Sequence, residues 1–206
     1  MMIKDFGGRV ATVWEGLRPM TKKMLAGALP QSNPNHANIP AQKFYYDAHA
    51  DWELSRLLSA LDEQSRTADA RKDPEKLAEL SELADTCIRV LEAQTGSAEV
   101  FIQLAERAIK KYDYNKLDKL ADLLQSRFSA GEIAEIVRQT EYPQIRAIAY
   151  ETLAMLRVQA IVPLQDDPLY ADIAAGALEQ KAFEYDSEEA KEILDQLDSE
   201  NEITPD

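Results

Sequence analysis

The chain contains 206 residues, of which 45% are hydrophobic and 29% are charged, and its formal net charge is −14 at pH 7. This length and composition are those of a folded globular protein with a buried core, which argues against global disorder. A strongly negative surface repels phosphate backbones, so direct binding of nucleic acid by the main body is not expected. The same charge favours basic partners.

The first segment, residues 1–29, is predicted to be an amphipathic helix with a basic edge. Apolar residues recur every three or four positions from residue 9 to residue 29. Pro19 is expected to kink this helix or to divide it in two. Residues 1–30 contain five Lys and Arg against two Asp and Glu, a net charge of +3. Residues 186–206 contain one Lys against nine Asp and Glu, a net charge of −8.

The next stretch, residues 30–42, has the sequence PQSNPNHANIPAQ and is predicted to be a long loop or tether. Such a tether would make the N-terminal helix detachable. Three interpretations of the helix stay open: it packs on the chain's own acidic body, docks into a partner's groove, or lies on an anionic membrane surface. The candidate partner-binding residues come from the apolar face and basic edge of this helix: Trp14, Leu17, Arg18, Lys22, Lys23, Met24 and Leu25.

Residues 43–198 are predicted to form one helical domain, followed by an acidic tail at residues 199–206. Leucine, isoleucine and alanine recur with helical spacing, and no stretch alternates with period two. We therefore predict an all-α fold of about nine helices. Capping residues, proline and glycine indicate helix starts and stops at several places, among them Asp73-Pro74, Thr95-Gly96-Ser97, Ser129 with Glu132, Pro143, Asp167-Pro168, and Asp186 with Glu189.

Parts of the helical domain align with one another at an offset near 40 residues, which is the period of two-helix repeats. The aligned pairs are residues 76–83 with 116–123 and residues 107–109 with 146–148. The segments that begin at Tyr142-Pro143 and Asp167-Pro168 resemble the proline-led first helix of HEAT-like repeats, over about residues 73–185. The resemblance implies a curved scaffold that binds other macromolecules. A HEAT- or TPR-like solenoid of antiparallel helical hairpins and an irregular bundle both stay open.

One segment, Asp47-Ala48-His49-Ala50-Asp51, resembles the metal-binding DAHxD segment of the arginase and agmatinase ureohydrolases. The resemblance implies that Asp47, His49 and Asp51 hold manganese from a strand end, where alternate residues share one face. On a helix, Asp47 and Asp51 share a face and His49 lies roughly opposite. The other metal-binding segments of that family are missing from this sequence. A metal-dependent hydrolase is therefore an alternative and not the leading hypothesis.

No other pattern indicates catalysis. His36, the second histidine, lies in the predicted loop, and Cys87 falls on the apolar face of a predicted helix. The sequence lacks a glycine-rich phosphate loop, a Glu-x-x-His pair and a nucleophile elbow. We therefore expect no enzyme activity, no metal and no cofactor. A single cysteine, with no signal-peptide core and no transmembrane segment, favours a cytoplasmic location.

The leading hypothesis is a non-enzymatic protein–protein interaction module: a scaffold, adaptor or chaperone-like binder whose partner is a basic protein segment. An acidic mimic of nucleic acid is a further alternative, and homo-oligomerisation stays open. Tyrosines near predicted helix ends are expected to pack with the hydroxyl at the rim, or to form a contact surface if they share one face. These are Tyr112, Tyr114, Tyr142, Tyr150 and Tyr170.

Overall fold

The computed structural model describes residues 6–29 and 46–203, with side chains up to residue 197. All regular structure in these residues is helical, which confirms the predicted all-α class. The predicted loop at residues 30–42, which includes His36, lies outside the described residues. The α-helices of the described part are α1 Gly8–Gly16, α2 Pro19–Ala28, α3 Ala48–Ser65, α4 Ala68–Lys72, α5 Pro74–Gln94, α6 Ala98–Lys110, α7 Tyr114–Arg127, α8 Ala130–Gln139, α9 Pro143–Met155, α10 Val158–Ile161, α11 Ala171–Phe183 and α12 Glu188–Ile203.

These twelve helices exceed the nine that the sequence predicts. Leu17 and Arg18 are extended and Pro19 begins α2, so the N-terminal segment is divided in two. Helix α4 has five residues and α10 has four, which is too short for an apolar period to repeat. The prediction that Asp167-Pro168 opens a helix is wrong. The Asp167 carboxylate accepts the backbone N–H of Leu169 at 2.9 Å in a turn, and α11 begins only at Ala171.

Side-chain caps fix two of the predicted helix starts. Asp73 Oδ1 accepts from the backbone N–H of Lys76 at 3.1 Å at the start of α5, and Ser129 Oγ accepts from that of Glu132 at 3.2 Å at the start of α8. The Glu132 side chain reaches away from its own helix, because its Oε2 accepts from the backbone N–H of Ala98 at 2.7 Å. Glu132 therefore ties the start of α8 to the start of α6.

The chain forms two compact units, Met1–Thr95 and Gly96–Asp206. The boundary falls where Thr95-Gly96-Ser97 predicts a helix stop, so the predicted helical domain of residues 43–198 spans both units. The first unit contains 12 Lys and Arg against 14 Asp and Glu, and the second contains 11 against 23. Their net charges are −2 and −12. Most of the excess negative charge therefore lies in the second unit.

The first unit is built around α3, which packs on α1, α2 and α5. Its predicted inner face, Leu54, Leu57, Leu58 and Leu61, is buried. Cys87 on α5 is also buried, and this burial raises the pKa of its thiol to about 12. The thiol is therefore protonated and unreactive at neutral pH.

In the second unit, the hairpin α6–α7 stacks on the hairpin α8–α9, with α6 against α8 and α7 against α9. Helix α9 also packs against α11, which packs in turn against α12. Tyr150 lies against Gly176 in the middle of the α9–α11 contact, and Lys181 Nζ donates to the Ala154 carbonyl oxygen at 3.1 Å near its end. Helices α9 and α11 therefore run in the same direction, with their C-terminal ends together.

Candidate functional site

Much of the predicted partner-binding set of the N-terminal segment is used inside the first unit. Three of its apolar side chains are buried: Leu17, Met24 and Leu25. Trp14 is half-buried, with Lys22 Nζ 5.9 Å from its ring centroid, and Lys23 is exposed. That these residues bind a partner stays a prediction, and in this conformation the chain itself covers most of their apolar part.

Arg18, the remaining residue of that set, joins the N-terminal helices to α3. Its guanidinium donates to both carboxylate oxygens of Asp47, at 2.9 and 2.7 Å, and to Glu53 Oε2 at 3.0 Å. Its backbone N–H donates to Glu53 Oε1 at 2.6 Å, and Thr21 Oγ1 donates to Glu53 as well. Because Arg18 is the N-cap of α2, the buried Glu53 carboxylate accepts at the positive end of that helix. We call Arg18, Thr21, Asp47 and Glu53 the N-terminal latch.

The latch favours the ionised form of both carboxylates. Hydrogen bonds from Arg18, followed by one from the backbone N–H of Ala50, hold the pKa of Asp47 below its usual range. Burial acts to raise the pKa of Glu53, but hydrogen bonds from Thr21 and Arg18 outweigh it, so this pKa is lowered. A carboxylate whose pKa is lower in the folded than in the unfolded chain stabilises the fold above its unfolded pKa.

Acid is therefore expected to weaken the latch. The stability contributed by Asp47 and Glu53 is complete above their unfolded pKa values, near about 4, and is lost as the pH falls through and below that range. We expect the stability difference between wild type and Glu53→Gln to shrink as the pH falls, because the glutamine has no charge to lose. Urea unfolding can be followed by tryptophan fluorescence, since Trp14 and Trp52 both lie in the first unit. A difference that stays constant with pH would contradict the latch.

The residues of the ureohydrolase-like segment have structural roles. Asp47 caps α3, where its Oδ1 accepts a backbone N–H at 2.8 Å. Asp51 accepts from Tyr46 Oη at 2.6 Å, whereas His49 is exposed. Within the described residues, no group of three His, Cys, Asp or Glu side chains is placed to hold a metal ion. The segment starts a helix, so it lacks the strand spacing on which the resemblance depends.

A different surface combines exposed apolar side chains with carboxylates at the C-terminal ends of α9 and α11. Phe183 is 77% exposed and Met155 is 49% exposed, and exposed apolar side chains that lie close together are typical of interaction sites. We call this surface the α9–α11 face and define it by Tyr150, Glu151, Met155, Glu179, Phe183 and Tyr185.

Hydrogen bonds between the two helices fix the geometry of the α9–α11 face. Gln180 Nε2 donates to Glu151 Oε2 at 2.8 Å, and Tyr185 Oη donates to Oε1 of the same carboxylate. Met155 lies one helical turn after Glu151, and Phe183 lies one turn after Gln180. The hydrogen-bonded pair therefore places Met155 and Phe183 on neighbouring ends of parallel helices.

The carboxylates around this face are not neutralised by cations of the described chain. Burial raises the pKa of Tyr150, as do the charges of Glu179 and Asp172. Neither forms an ion pair within the described residues. The hydrogen bond to Glu151 raises the pKa of Tyr185 to about 12. The face therefore presents apolar groups in a negative field.

The predicted tyrosines divide into two groups. Three of them contact other groups of the second unit: Tyr142 lies 5.6 Å from Lys110 Nζ, Tyr150 touches Gly176, and Tyr170 Oη donates to Glu135 at 3.0 Å. The other two, Tyr112 and Tyr114, are exposed where α6 connects to α7. Among these five tyrosines, a role in a contact surface therefore stays a prediction for Tyr112 and Tyr114.

Phe183 and Met155 are absent from the candidates that the sequence predicts. The buried residues of α11 follow a helical period, and Phe183 lies outside their stripe. A large apolar residue outside the buried stripe of a helix is the signal that would have identified it. The buried positions of α11 are Ala174, Ala177, Leu178 and Ala182.

The fold and this face define an all-α protein of two units, the second of which carries an exposed apolar and acidic surface. Comparisons with protein-family models, curated proteins and solved structures found no match. In the described part of the chain, no helix is both long and apolar enough to cross a membrane. The function must therefore be inferred from the surface itself.

Proposed function

We propose that this chain is a non-enzymatic protein-binding module whose α9–α11 face docks a cationic, amphipathic protein segment. The observation that carries the proposal is the exposure of Phe183 and Met155 at the adjoining C-terminal ends of α9 and α11, close to the carboxylate of Glu151. Burial of exposed apolar groups of this size under a partner lowers the free energy of the complex. The predicted cytoplasmic location, and a role as a scaffold, adaptor or chaperone-like binder, belong to the same proposal.

Charge identifies the chemistry of the partner. Residues 143–197 contain four Lys and Arg against eleven Asp and Glu, a net charge of −7. Three of the four cations are already engaged: Arg146 with the Thr140 carbonyl, Lys181 with the Ala154 carbonyl, and Lys191 with Asp186 and Glu188. A segment with lysine or arginine beside its apolar residues would meet complementary charge.

The packing of the second unit supports a scaffold role. First helices stack on first helices and second on second in the pairs α6–α8 and α7–α9, as neighbouring two-helix repeats do. This pattern favours the solenoid interpretation over an irregular bundle. A mimic of nucleic acid would present carboxylates without large apolar side chains, so Phe183 and Met155 favour a protein segment as the ligand.

The test is a titration of the full chain with a dye-labelled probe peptide. The probe is an amphipathic helix of roughly four turns with leucines on one face and lysines on the other. Two matched peptides replace its leucines by alanine or its lysines by glutamate. We expect the probe to bind, the alanine peptide to bind more weakly and the glutamate peptide not to bind. Equal binding of the probe and the alanine peptide would show that only charge contributes to binding, and this would overturn the proposal. Absence of binding by the probe would also overturn it.

A further inference from the structure

The connection between α6 and α7 exposes two aromatic side chains. Tyr112 is 79% exposed and Tyr114 is 60% exposed. They lie in a short turn, which we call the tyrosine turn and define as Lys111, Tyr112, Asp113 and Tyr114. Tyrosine is enriched where proteins touch one another, because its ring supplies contact area at a low cost in conformational entropy.

The backbone of the tyrosine turn is held in a conformation that disfavours tyrosine. Tyr112 has φ of 56°, the left-handed region that favours glycine. The turn is closed by hydrogen bonds from the backbone N–H of Tyr112 to the Ile109 carbonyl at 3.0 Å and from that of Asp113 to the Ala108 carbonyl at 2.9 Å. Stability alone would place glycine at this position. The exposed ring of Tyr112 therefore indicates a use outside the fold.

The tyrosine turn also lies in the positive part of an otherwise acidic unit. Residues 106–119 contain five Lys and Arg against three Asp and Glu, a net charge of +2, whereas the whole unit has −12. The turn itself has one Lys and one Asp, so its two exposed rings lie inside a wider segment of net positive charge, and that charge complements the acidic α9–α11 face.

The tyrosine turn lies near the N-terminal end of α9, whereas the α9–α11 face lies at the C-terminal end of the same helix. Lys110, two residues before Tyr112, places its Nζ 5.6 Å from the ring centroid of Tyr142, the N-cap of α9. Met155 is the last residue of α9. A helix of 13 residues is about 20 Å long. The tyrosine turn therefore cannot reach the α9–α11 face of its own chain.

From these observations we infer that the chain associates head to tail, with the tyrosine turn of one copy docked on the α9–α11 face of a second copy. The inference rests on the proposed function, because it names the partner that supplies the cationic and apolar segment. Such a contact joins two different surfaces. It leaves a tyrosine turn unoccupied at one end of the assembly and an α9–α11 face unoccupied at the other end. It therefore produces a concentration-dependent series of assemblies and not a closed dimer.

The experiment is sedimentation velocity of the full chain over a rising concentration series. Two variants each remove one side of the contact: Tyr112→Gly with Tyr114→Ser in the turn, and Met155→Ser with Phe183→Ser on the face. We expect the wild type to form assemblies larger than dimers and each variant alone to stay monomeric. An equimolar mixture of the two variants should give a 1:1 complex and nothing larger, because each retains one intact surface. Leu169→Ser, which alters another exposed residue of the same unit, should associate like the wild type.

The two proposals fail in different ways. A wild type that stays monomeric at every concentration, yet binds the probe peptide, would overturn head-to-tail association and leave the proposed function intact. A wild type that associates through surfaces unaffected by either variant would also overturn the inference. The turn variant is expected to stay monomeric because it lacks the contact and not because it unfolds. Tyr112→Gly relieves an unfavourable φ and is expected to raise the melting temperature, which can be measured on the same sample.

Discussion

Replacing Glu53 by alanine is expected to destabilise the first unit by about 2–3 kcal/mol. Glu53 is the most buried ionised group of the latch, with a side chain only 1% exposed. Its removal leaves the backbone N–H and the Nε–H of Arg18, and the Thr21 hydroxyl, without their acceptor, while the rest of the guanidinium keeps Asp47. The loss stays below the upper range for a broken buried pair, because the Arg18 side chain is 37% exposed and water can solvate it.

Glu63 provides a matched control for this prediction. It lies on the same helix α3 and pairs with Arg9, but both side chains of that pair are about half exposed or more. Glu63→Ala is therefore expected to cost less than about 1 kcal/mol. Urea unfolding followed by tryptophan fluorescence measures both variants, since the two tryptophans lie in the first unit. Equal losses for Glu53→Ala and Glu63→Ala would show that Glu53 is not the central group of the latch.

Gly176→Ala is expected to destabilise the second unit by about 1–2 kcal/mol, although alanine is the better helix former by about 1 kcal/mol. An added Cβ would lie 2.0 Å from Tyr150 Oη and 3.2 Å from Tyr150 Cζ. The tyrosine ring must therefore move away from α11, and the packing of α9 against α11 is lost in part. Hydrogen exchange of the amides of α9 and α11 measures this loss locally.

Two further substitutions define the cause of the Gly176 effect. Adding Tyr150→Phe to Gly176→Ala removes the hydroxyl and leaves the ring contacts at 3.2 Å (Cζ) and 3.7 Å (Cε1), so most of the lost stability should return. Gly131→Ala, also within a helix of the second unit, meets no atom nearer than Ser129 Oγ at 4.0 Å and should be neutral or stabilising. If Gly131→Ala were as destabilising as Gly176→Ala, the loss would not come from the contact with Tyr150.

The fold class could be predicted from the sequence because helical periodicity and capping are local. Asp73 and Ser129 cap the helices that they were expected to begin, and the apolar stripe of α3 is buried as predicted. The short helices α4 and α10 could not be predicted, since four or five residues are too few to show a period. Asp167 misled the prediction because a turn uses the same capping side chain as a helix.

The candidate site depended on contacts that no local pattern contains. Arg18 was a candidate for partner binding, yet its guanidinium pairs with Asp47, 29 positions away, and with Glu53, 35 positions away. The α9–α11 face requires knowing that two helices run parallel, which follows from the contact of Tyr150 with Gly176 together with the hydrogen bond from Lys181 to Ala154. The exposure of Phe183 could have been predicted from the sequence, because this residue lies outside the apolar stripe of α11.

We propose above that the α9–α11 face binds a cationic, amphipathic segment. The most direct measurement is the dissociation constant of the probe peptide for the variant that combines Met155→Ser and Phe183→Ser, compared with Leu169→Ser. Both variants remove exposed apolar groups from the second unit, but only the first alters the face. We predict that affinity falls at least about tenfold in the first variant and is unchanged in the second. Equal affinity in the two variants would contradict the claim.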